Sequence, residues 1–264
     1  MLQTVNFCGI EMTRLLIGAN PFGGYSHQTP ERNEEMRGYY TTERILETWE
    51  RAEKAGINTF VTNNETPHVM DATRQYLGNG GRLQWIGQLN HNPFDGDMVK
   101  AIEQAIDVGA CAAYLHGAIV DRMCEEKDDA PLRDWVAYAK SRNFPIGVAG
   151  HKPETHYWVA DMDIVDFHTV CFFTCGSVHE GSGDKFRLQD MAPASECIQK
   201  LDKPCIGYKI MAAGRISARL AFDYAFENIK PGDVVNVGMH RGDKDDMVEE
   251  NAAIAEHLLA YLDD

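Results

Sequence analysis

Two histidines of the sequence are placed as a pair that could move protons or bind a metal ion. His116 follows the apolar run AAYL, and His151 follows the apolar run IGVAG. An imidazole titrates near neutral pH and is a common general acid or base. With Glu154, the two rings also form a ligand set suited to Zn²⁺, Mn²⁺ or Fe²⁺, which would polarise a substrate carbonyl or hydroxyl. The alternative is that both histidines hydrogen-bond a substrate as neutral donors.

Lys209 is the third candidate for a catalytic role. It stands in IGYKIMAAGRI, close to the end of another apolar run. A desolvated lysine could form a Schiff base, and a solvated one could bind an anion or reach a carboxylate. Arg215 and Arg241 also follow apolar runs, where they could bind an anionic group of a substrate or cofactor, or lie on the surface.

Amide side chains follow several of the same apolar runs. An amide offers both a donor and an acceptor, which suits the hydroxyl groups of a substrate. The sequence therefore predicts a small polyhydroxylated or carbonyl-bearing substrate of the kind found in carbohydrate metabolism. The predicted substrate-binding residues are Arg215 and the amides Asn20, Asn63, Gln88 and Asn90.

The elements that must position these residues are short apolar runs alternating with segments of helical period. About eight such pairs follow one another without a break in composition, which predicts a parallel sheet covered by helices. A single (β/α)₈ barrel over residues 1–264 fits better than an open doubly wound sheet, because no GxGxxG turn follows the first strand. Active sites of barrels lie at the C-terminal ends of the strands, so the candidate residues should meet at one mouth.

Several segments, in their order along the chain, resemble the aldo-keto reductase superfamily. NFCGIEMTRLLIGANPFGG is similar to that family's N-terminal hairpin and first strand, and GINTFVTNN is similar to its GINFFDTA segment. YLHG resembles the region of its fourth-strand histidine, and IGVAGHKPE is similar to IGFSGH in one branch. VVNVGMHRGDKDDMVEENAAIAEHL resembles its last strand and helix. The resemblance implies a barrel preceded by a β-hairpin.

The resemblance also implies a nicotinamide cofactor. The last helix of the family carries a Glu-Asn pair that contacts the adenosine end of NADP(H), and Glu250 and Asn251 match that pair. Arg241 precedes them and is the candidate for an anionic group of the cofactor. NADP(H) is therefore the alternative to a divalent metal as the cofactor of this chain.

Most of the family's catalytic tetrad of Asp, Tyr, Lys and His is unmatched. Val61 stands at the Asp position, Thr66 at the Tyr position and Gln88-Leu89 near the Lys position, while His116 is kept. A hydroxyl of threonine is a much weaker acid than a phenol with a pKa of about 10. A reductase built on this sequence therefore needs another proton donor, such as His116.

Charge and composition restrict the partners. The net charge is −15, from 25 Lys and Arg against 40 Asp and Glu, which disfavours nucleic acid and anionic membranes as partners. We find no leader-like start and no apolar run of membrane-spanning length, and the seven cysteines look like small buried hydrophobes. We therefore expect a cytoplasmic protein with a small-molecule substrate, and a barrel of this size can pair as a homo-oligomer. The Cys171/Cys175 spacing is weak support for a redox or metal role.

Two polar segments at the predicted mouth have open interpretations. Residues 20–40 are predicted to be a loop, whose aromatic side chains could stack on a sugar or pack over the rim. Residues 174–186, which include His179, could act as a lid or lie in solvent. The leading hypothesis is a lyase, isomerase or epimerase that uses acid–base or metal-assisted chemistry. The alternatives are an NADP(H)-dependent oxidoreductase with an atypical proton donor and a non-catalytic binding barrel with a closed mouth.

Overall fold

The structure is a computed structural model, and it describes residues 2–173 and 186–262. Eight parallel strands close into a barrel, in the order β10-β3-β4-β5-β6-β7-β8-β9, and a separate antiparallel pair precedes them. The predicted (β/α)₈ barrel with an N-terminal β-hairpin is therefore confirmed. None of the described helices is long and apolar enough to cross a membrane.

The strands are short, and those of the barrel are almost wholly buried. Their bounds are β1 Thr4–Phe7, β2 Ile10–Thr13, β3 Leu15–Gly18, β4 Thr59–Asn63, β5 Gln84–Leu89, β6 Ala112–Leu115, β7 Ile146–Gly150, β8 Phe167–Cys171, β9 Cys205–Tyr208 and β10 Val234–Gly238.

Helices follow the strands around the barrel. Their bounds are α1 Pro30–Tyr39, α2 Thr42–Lys54, α3 Pro67–Gly78, α4 Met98–Val108, α5 Gly117–Glu126, α6 Ala130–Ser141, α7 Pro153–Ala160, α8 Met191–Lys200, α9 Ala218–Asn228 and α10 Met247–Leu262.

Local sequence explains why these segments form these elements. In α2, Thr41 accepts a hydrogen bond from the backbone N–H of Arg44 and so caps the helix, while Ile45 and Trp49 bury one face. In β7, every residue of IGVAG is buried, because one side faces the barrel interior and the other faces helices. A strand covered on both sides lacks the alternation of polar and apolar residues that marks an exposed sheet.

The N-terminal hairpin closes the end of the barrel at which the strands begin. Phe7 and Met12 are fully buried among inward-facing residues of the barrel strands. The ring of Phe7 lies 5.2 Å from that of Phe167, the first residue of β8, in an edge-on contact. With this end filled by apolar side chains, only the opposite end of the barrel is left for a polar site.

Two helices differ from the sequence prediction. Helix α1 forms within residues 20–40, which we expected to be a loop, and α5 begins directly after His116, where no helix was predicted. The predicted lid at 174–186 and the predictions for His179 and Cys175 lie outside the described residues, apart from buried Phe186. Helix α5 matters most for function, because it brings a carboxylate to the mouth.

Candidate active site

A cavity of about 760 Å³ opens at the C-terminal ends of the barrel strands. Its volume lies within the range of pockets that hold small molecules and cofactors. All three predicted catalytic residues line it, and so do four of the five predicted substrate-binding residues. The sequence-predicted residues that the structure brings together there are His116, His151, Lys209, Asn20, Asn63, Gln88 and Asn90.

His151 is held by a carboxylate that the sequence analysis did not identify. Its ring Nδ1 lies 2.6 Å from Oδ2 of Asp121, and its backbone N–H donates to the same carboxylate at 3.2 and 3.3 Å. Thr155 donates its hydroxyl to Oδ1 of Asp121 at 2.7 Å. The imidazole and the carboxylate are therefore fixed in one relative orientation, as in a general-base pair with an orienting acid.

The charge state of Asp121 follows from these contacts. Burial raises the pKa of the carboxyl group, but its hydrogen bonds with His151 and Thr155 and the charge of His151 outweigh burial, so the pKa is lowered overall. An ionised carboxylate only accepts hydrogen bonds, so Nδ1 of His151 carries the proton. When Nδ1 carries the ring's single proton, Nε2 is an acceptor, and it can take a proton from a substrate in the cavity that His151 lines.

Position on the fold explains this pair. His151 directly follows β7, while Asp121 lies on α5, the helix that begins at the end of the neighbouring strand β6. Gly117 lets the two elements approach, because a Cβ atom there would lie only 3.0 Å from Cε1 of His151. The pair therefore depends on a residue without a side chain at the start of α5.

His116 has the opposite proton arrangement. It is the N-cap of α5, and its Nδ1 accepts a hydrogen bond from the backbone N–H of Ala118 at 3.2 Å. Because Nδ1 accepts, the proton of the neutral ring is on Nε2, which makes this nitrogen a donor. The mouth thus combines a donor imidazole with an acceptor imidazole, and the two belong to adjacent strand ends.

An aromatic ring and an unpaired amide oxygen lie beside this pair. The ring of Tyr208 is 6.3 Å from that of His151, and Nζ of Lys209 is 5.3 Å from the centre of the Tyr208 ring. Asn236 is the register partner of Tyr208 on β10, and its Oδ1 is buried without a hydrogen-bond partner among the described residues. A ligand with a flat ring and an amide donor would satisfy both groups.

The amides of the mouth hold their own loops through their oxygens. Oδ1 of Asn63 accepts from the backbone N–H groups of Glu65 and Thr66, both at 2.9 Å. Oε1 of Gln88 accepts from the hydroxyl of Tyr114 at 3.1 Å, and Oδ1 of Asn90 accepts from a backbone N–H at 3.1 Å. The amide N–H groups are what remains for a ligand, so these residues suit acceptor oxygens of hydroxyl or carbonyl groups.

The predicted metal ligands are not brought together. Glu154 is exposed and lies outside the cavity, and the carboxylate beside His151 is that of Asp121. Within the described ranges, the one group of three potential ligands is elsewhere, at Glu35, His240 and Asp243, with ligand atoms within 4.8 Å of one another. The prediction of a metal held by His116, His151 and Glu154 is therefore not supported.

The carboxylates of the group formed by Glu35, His240 and Asp243 already have a cationic partner, the guanidinium of Arg32. It forms ion pairs with both Glu35 and Asp243. A cation bound there would have to displace Arg32. His240, beside them, is 3% exposed, and burial is the main reason that its pKa is lowered. The cluster is therefore an edge of the cavity at which one guanidinium is shared by two carboxylates.

The residues predicted to bind the adenosine end of a cofactor lie outside the cavity. Arg241 is 5% exposed, and its guanidinium pairs with Glu47 at 2.9 Å and with Asp245 at 2.7 Å. Asn251 is buried in α10, and Glu250 pairs with a lysine. These placements favour a structural role for Arg241 over the predicted contact with a cofactor.

Arg215, the fifth predicted substrate ligand, does not line the cavity. Its guanidinium donates to the carbonyl oxygens of Ala212 and His27 at 3.0 and 3.4 Å and lies over the ring of Phe186. It joins the segment after β9 to the segment after β3. This arrangement favours a role in supporting the cavity wall over direct contact with a substrate.

The unmatched tetrad positions are non-ionisable in the structure as well. Val61 is 4% exposed and belongs to the apolar interior of the barrel. The hydroxyl of Thr66 lies 3.4 Å from that of Tyr25, which comes from the segment after β3 and lines the cavity. Neither of these two positions therefore supplies an ionisable side chain, and the two imidazoles that could transfer a proton follow β6 and β7.

Sequence reasoning missed three residues of this site: Asp121, Tyr208 and Asn236. A signal for Asp121 was present in GAIVDRMCEE, whose buried positions recur with helical spacing directly after His116. Tyr208 and Asn236 stand in strands that were recognised, but only their register shows that they are neighbours. Pairing between strands that are distant in sequence cannot be read from periodicity.

Comparison with solved structures agrees with the fold expectation. One structure is described as a "Putative aldo-keto reductase from Pseudomona aeruginosa"; it has 15% sequence identity and a TM-score of 0.68, over 98% of this chain and 95% of that chain. A second "putative aldo-keto reductase" from that organism has 16% identity and a TM-score of 0.66, over 96% and 93%. At such identities the likeness shows the shared fold alone.

Sequence comparison adds nothing further. No protein-family model matches the chain, and no curated protein sequence matches it. The comparisons therefore show a barrel fold shared with these two structures, whereas the chemistry has to be argued from the residues at the mouth.

Proposed function

We propose that this chain is an oxidoreductase that interconverts a hydroxyl and a carbonyl group on a small polar metabolite, with a nicotinamide nucleotide as the second substrate. The observation that carries the proposal is the pairing of His151 with Asp121 beside a donor imidazole, His116. The likeness of the barrel to structures described as aldo-keto reductases favours redox chemistry over lyase or isomerase chemistry on the same groups.

The residues next to this pair fit the nicotinamide part of such a nucleotide. Tyr208 offers an aromatic face, and the buried Oδ1 of Asn236, its register partner, lacks a donor that a carboxamide would supply. The absence of a side chain at Gly18 leaves room for that Oδ1, since a Cβ atom at Gly18 would lie only 2.7 Å from it. When bound, the nicotinamide nucleotide supplies or accepts the hydride.

His151 moves the proton in this scheme. In the oxidising direction, Nε2 takes the proton of the substrate hydroxyl, and the imidazolium that results is stabilised by Asp121 at 2.6 Å. In the reducing direction, the same nitrogen returns the proton to the carbonyl oxygen. Asp121 stays ionised throughout and fixes the ring.

His116 polarises the reacting oxygen. Its Nε2–H is the donor of the neutral ring, because its Nδ1 is occupied by the N–H of Ala118. A donor aimed at an oxygen that gains negative charge stabilises that charge most in a site shielded from water. The amide N–H groups of Asn63, Gln88 and Asn90 would then hold the other oxygens of the metabolite.

The test follows hydride transfer directly. The protein is incubated with a panel of small polyhydroxylated aldehydes and ketones and with dihydronicotinamide nucleotide deuterated at the transferable position. We expect deuterium on the product carbon and an equal loss of reduced nucleotide. Tyr208→Leu and Asn236→Ala should weaken nucleotide binding in a calorimetric titration, whereas Leu220→Ala, at an exposed residue of α9, serves as the control.

Lyase or isomerase chemistry is the second candidate, and a specific observation favours it. A donor and an acceptor imidazole at one mouth can also abstract a proton next to a carbonyl without any cofactor. That reaction in deuterated water would place solvent deuterium on carbon and leave the nucleotide unconsumed. This outcome would replace the redox proposal by the sequence-based hypothesis.

The binding-only interpretation is less well supported. It predicts a closed mouth, whereas the mouth holds a cavity of about 760 Å³ lined by polar side chains. A protein that binds neither nucleotide nor any member of the panel, and shows no exchange of substrate protons, would revive it.

A further inference from the structure

We infer that the nucleotide site prefers NAD(H) to NADP(H). This inference rests on the proposed function. It concerns the far edge of the cavity, which we call the acidic edge and define by Arg32, His240 and Asp243, all of which line the cavity.

The geometry of the cavity directs the rest of a dinucleotide to the acidic edge. His116 and His151 occupy the side formed by the ends of β6 and β7, and Tyr208 lies between this side and β10. A metabolite must bind beside the histidines to react. The remaining part of a nucleotide whose ring lies on Tyr208 therefore extends in the other direction, past β10.

Charge at the acidic edge opposes an additional phosphate. Four cations of this region are each already paired with two carboxylates: Arg32 with Glu35 and Asp243, Arg241 with Glu47 and Asp245, Arg51 with Asp245 and Glu249, and Lys244 with Asp246 and Glu250. Carboxylates therefore outnumber cations, and no cation of this set is left for a phosphate that carries nearly two negative charges.

The same carboxylates suit a nucleotide without that phosphate. A carboxylate accepts hydrogen bonds from the ribose hydroxyls of NAD, whereas sites for NADP commonly place an arginine at the 2′-phosphate. Asp243 is the carboxylate of the acidic edge that lines the cavity. Arg32, which could have served as the phosphate ligand, is held by Asp243 and Glu35.

The test is a pair of calorimetric titrations of the purified protein with NADH and NADPH at low ionic strength. We expect NADH to bind about tenfold more tightly, because like-charge repulsion near the surface of a protein is of the order that gives tenfold in affinity. The preference should shrink as salt is added, since exposed charges are screened.

Two matched double variants test whether the charges of the acidic edge cause the preference for NAD(H). Glu35→Gln with Asp243→Asn removes two charges and releases Arg32, so NADPH should gain about tenfold relative to NADH. Glu196→Gln with Asp223→Asn removes the same two charges from exposed positions of α8 and α9, and it should leave the ratio unchanged.

The outcomes separate the two proposals. If NADPH binds as tightly as NADH, the preference for NAD(H) is wrong while the proposed function stands. If both double variants shift the ratio equally, the acidic edge is not the cause of the preference, and the proposed function again stands. If neither nucleotide binds the wild-type protein, both the proposed function and the preference for NAD(H) are wrong. A thermal unfolding curve for each variant shows that a lost affinity is not lost structure.

Discussion

A histidine–aspartate pair and a histidine–histidine pair, both near β7, illustrate how one residue type can serve two roles. At the mouth, His151 contacts the carboxylate of Asp121 at 2.6 Å and lines the cavity. Behind the strand, Nδ1 of His156 lies 3.1 Å from Nδ1 of His168, and both rings are buried between β8 and α7. The first pair has an acid and a solvent-facing atom, and the second has neither.

The surroundings decide the chemistry of each pair. Burial lowers the pKa of His156 to about 4 and lowers that of His168 well below its usual value, so both rings are neutral in the folded protein. One ring donates to the other, which satisfies a buried polar pair without any charge. The comparison teaches that a histidine near a strand end is a catalytic candidate only if a partner and an opening come with it.

The largest expected effect is on turnover, which should depend on the His151–Asp121 pair and not on the His156–His168 pair. His151→Asn and Asp121→Asn should each lower kcat/KM by about 10²–10⁴, because proton transfer loses its base or the base loses its orientation. His168→Gln, which keeps a hydrogen-bonding group beside His156, should leave turnover near that of the wild type. Initial rates with the metabolite found in the deuterium-transfer experiment measure all three.

Equal losses in all three variants would contradict the comparison. The roles of the two pairs would then be linked through the fold. Circular dichroism of each variant distinguishes a lost catalytic group from a lost structure.

The second expected effect is on the pH dependence of stability, to which the buried pair of His156 and His168 should contribute. In the unfolded chain both buried histidines bind a proton below a pH of about 6.5, whereas the folded protein keeps them neutral. The free energy of unfolding should therefore fall as the pH drops from about 6.5 towards 4, by on the order of 3 kcal/mol for His156 alone. Urea unfolding at a series of pH values measures this slope.

Removing one of the two titrating rings tests the origin of that slope. His168→Gln should make the fall in stability shallower over the same pH range. His257→Gln removes an exposed histidine of α10 and is the matched control, for which no change in slope is expected. A slope that is the same in His168→Gln and the wild type would show that His168 is not kept neutral by the fold.

The smallest expected effect concerns Thr155, whose hydroxyl supports the pair formed by His151 and Asp121. Thr155→Val removes the hydroxyl that donates to Asp121 at 2.7 Å, and Thr155 is 2% exposed. We expect a loss of about 1 kcal/mol in the free energy of unfolding, together with a loss of turnover of about tenfold, since Asp121 is held less firmly.

Thr73→Val provides the control for Thr155→Val. Thr73 is also buried, but its hydroxyl donates to the carbonyl oxygen of Val69 within α3, away from the mouth. It should cost comparable stability and leave turnover unchanged. A full loss of turnover in Thr155→Val, or none, would show that Thr155 does not position Asp121 in the proposed way.

Much of the fold was accessible from the sequence, and the site only in part. The apolar runs before His116 and His151 mark β6 and β7, and the order of the runs predicts the barrel. The association of Glu154 with His151 failed because proximity in sequence was used in place of proximity in space. Helix α5 was missed because its start lies directly against a strand, without a polar linker to mark the boundary.

Hydrophobic patterning by itself determined the parallel barrel and the end at which the polar residues gather, since these follow from which segments must be buried and in what order. The hairpin was implied by the resemblance of the N-terminal segment. Only the tertiary structure decided that Asp121 serves His151, that Tyr208 stands beside Asn236, and that Arg241 is occupied by carboxylates. These are contacts between side chains of separate elements. They are fixed by strand register and helix position, and a local pattern of residue types does not determine either of these.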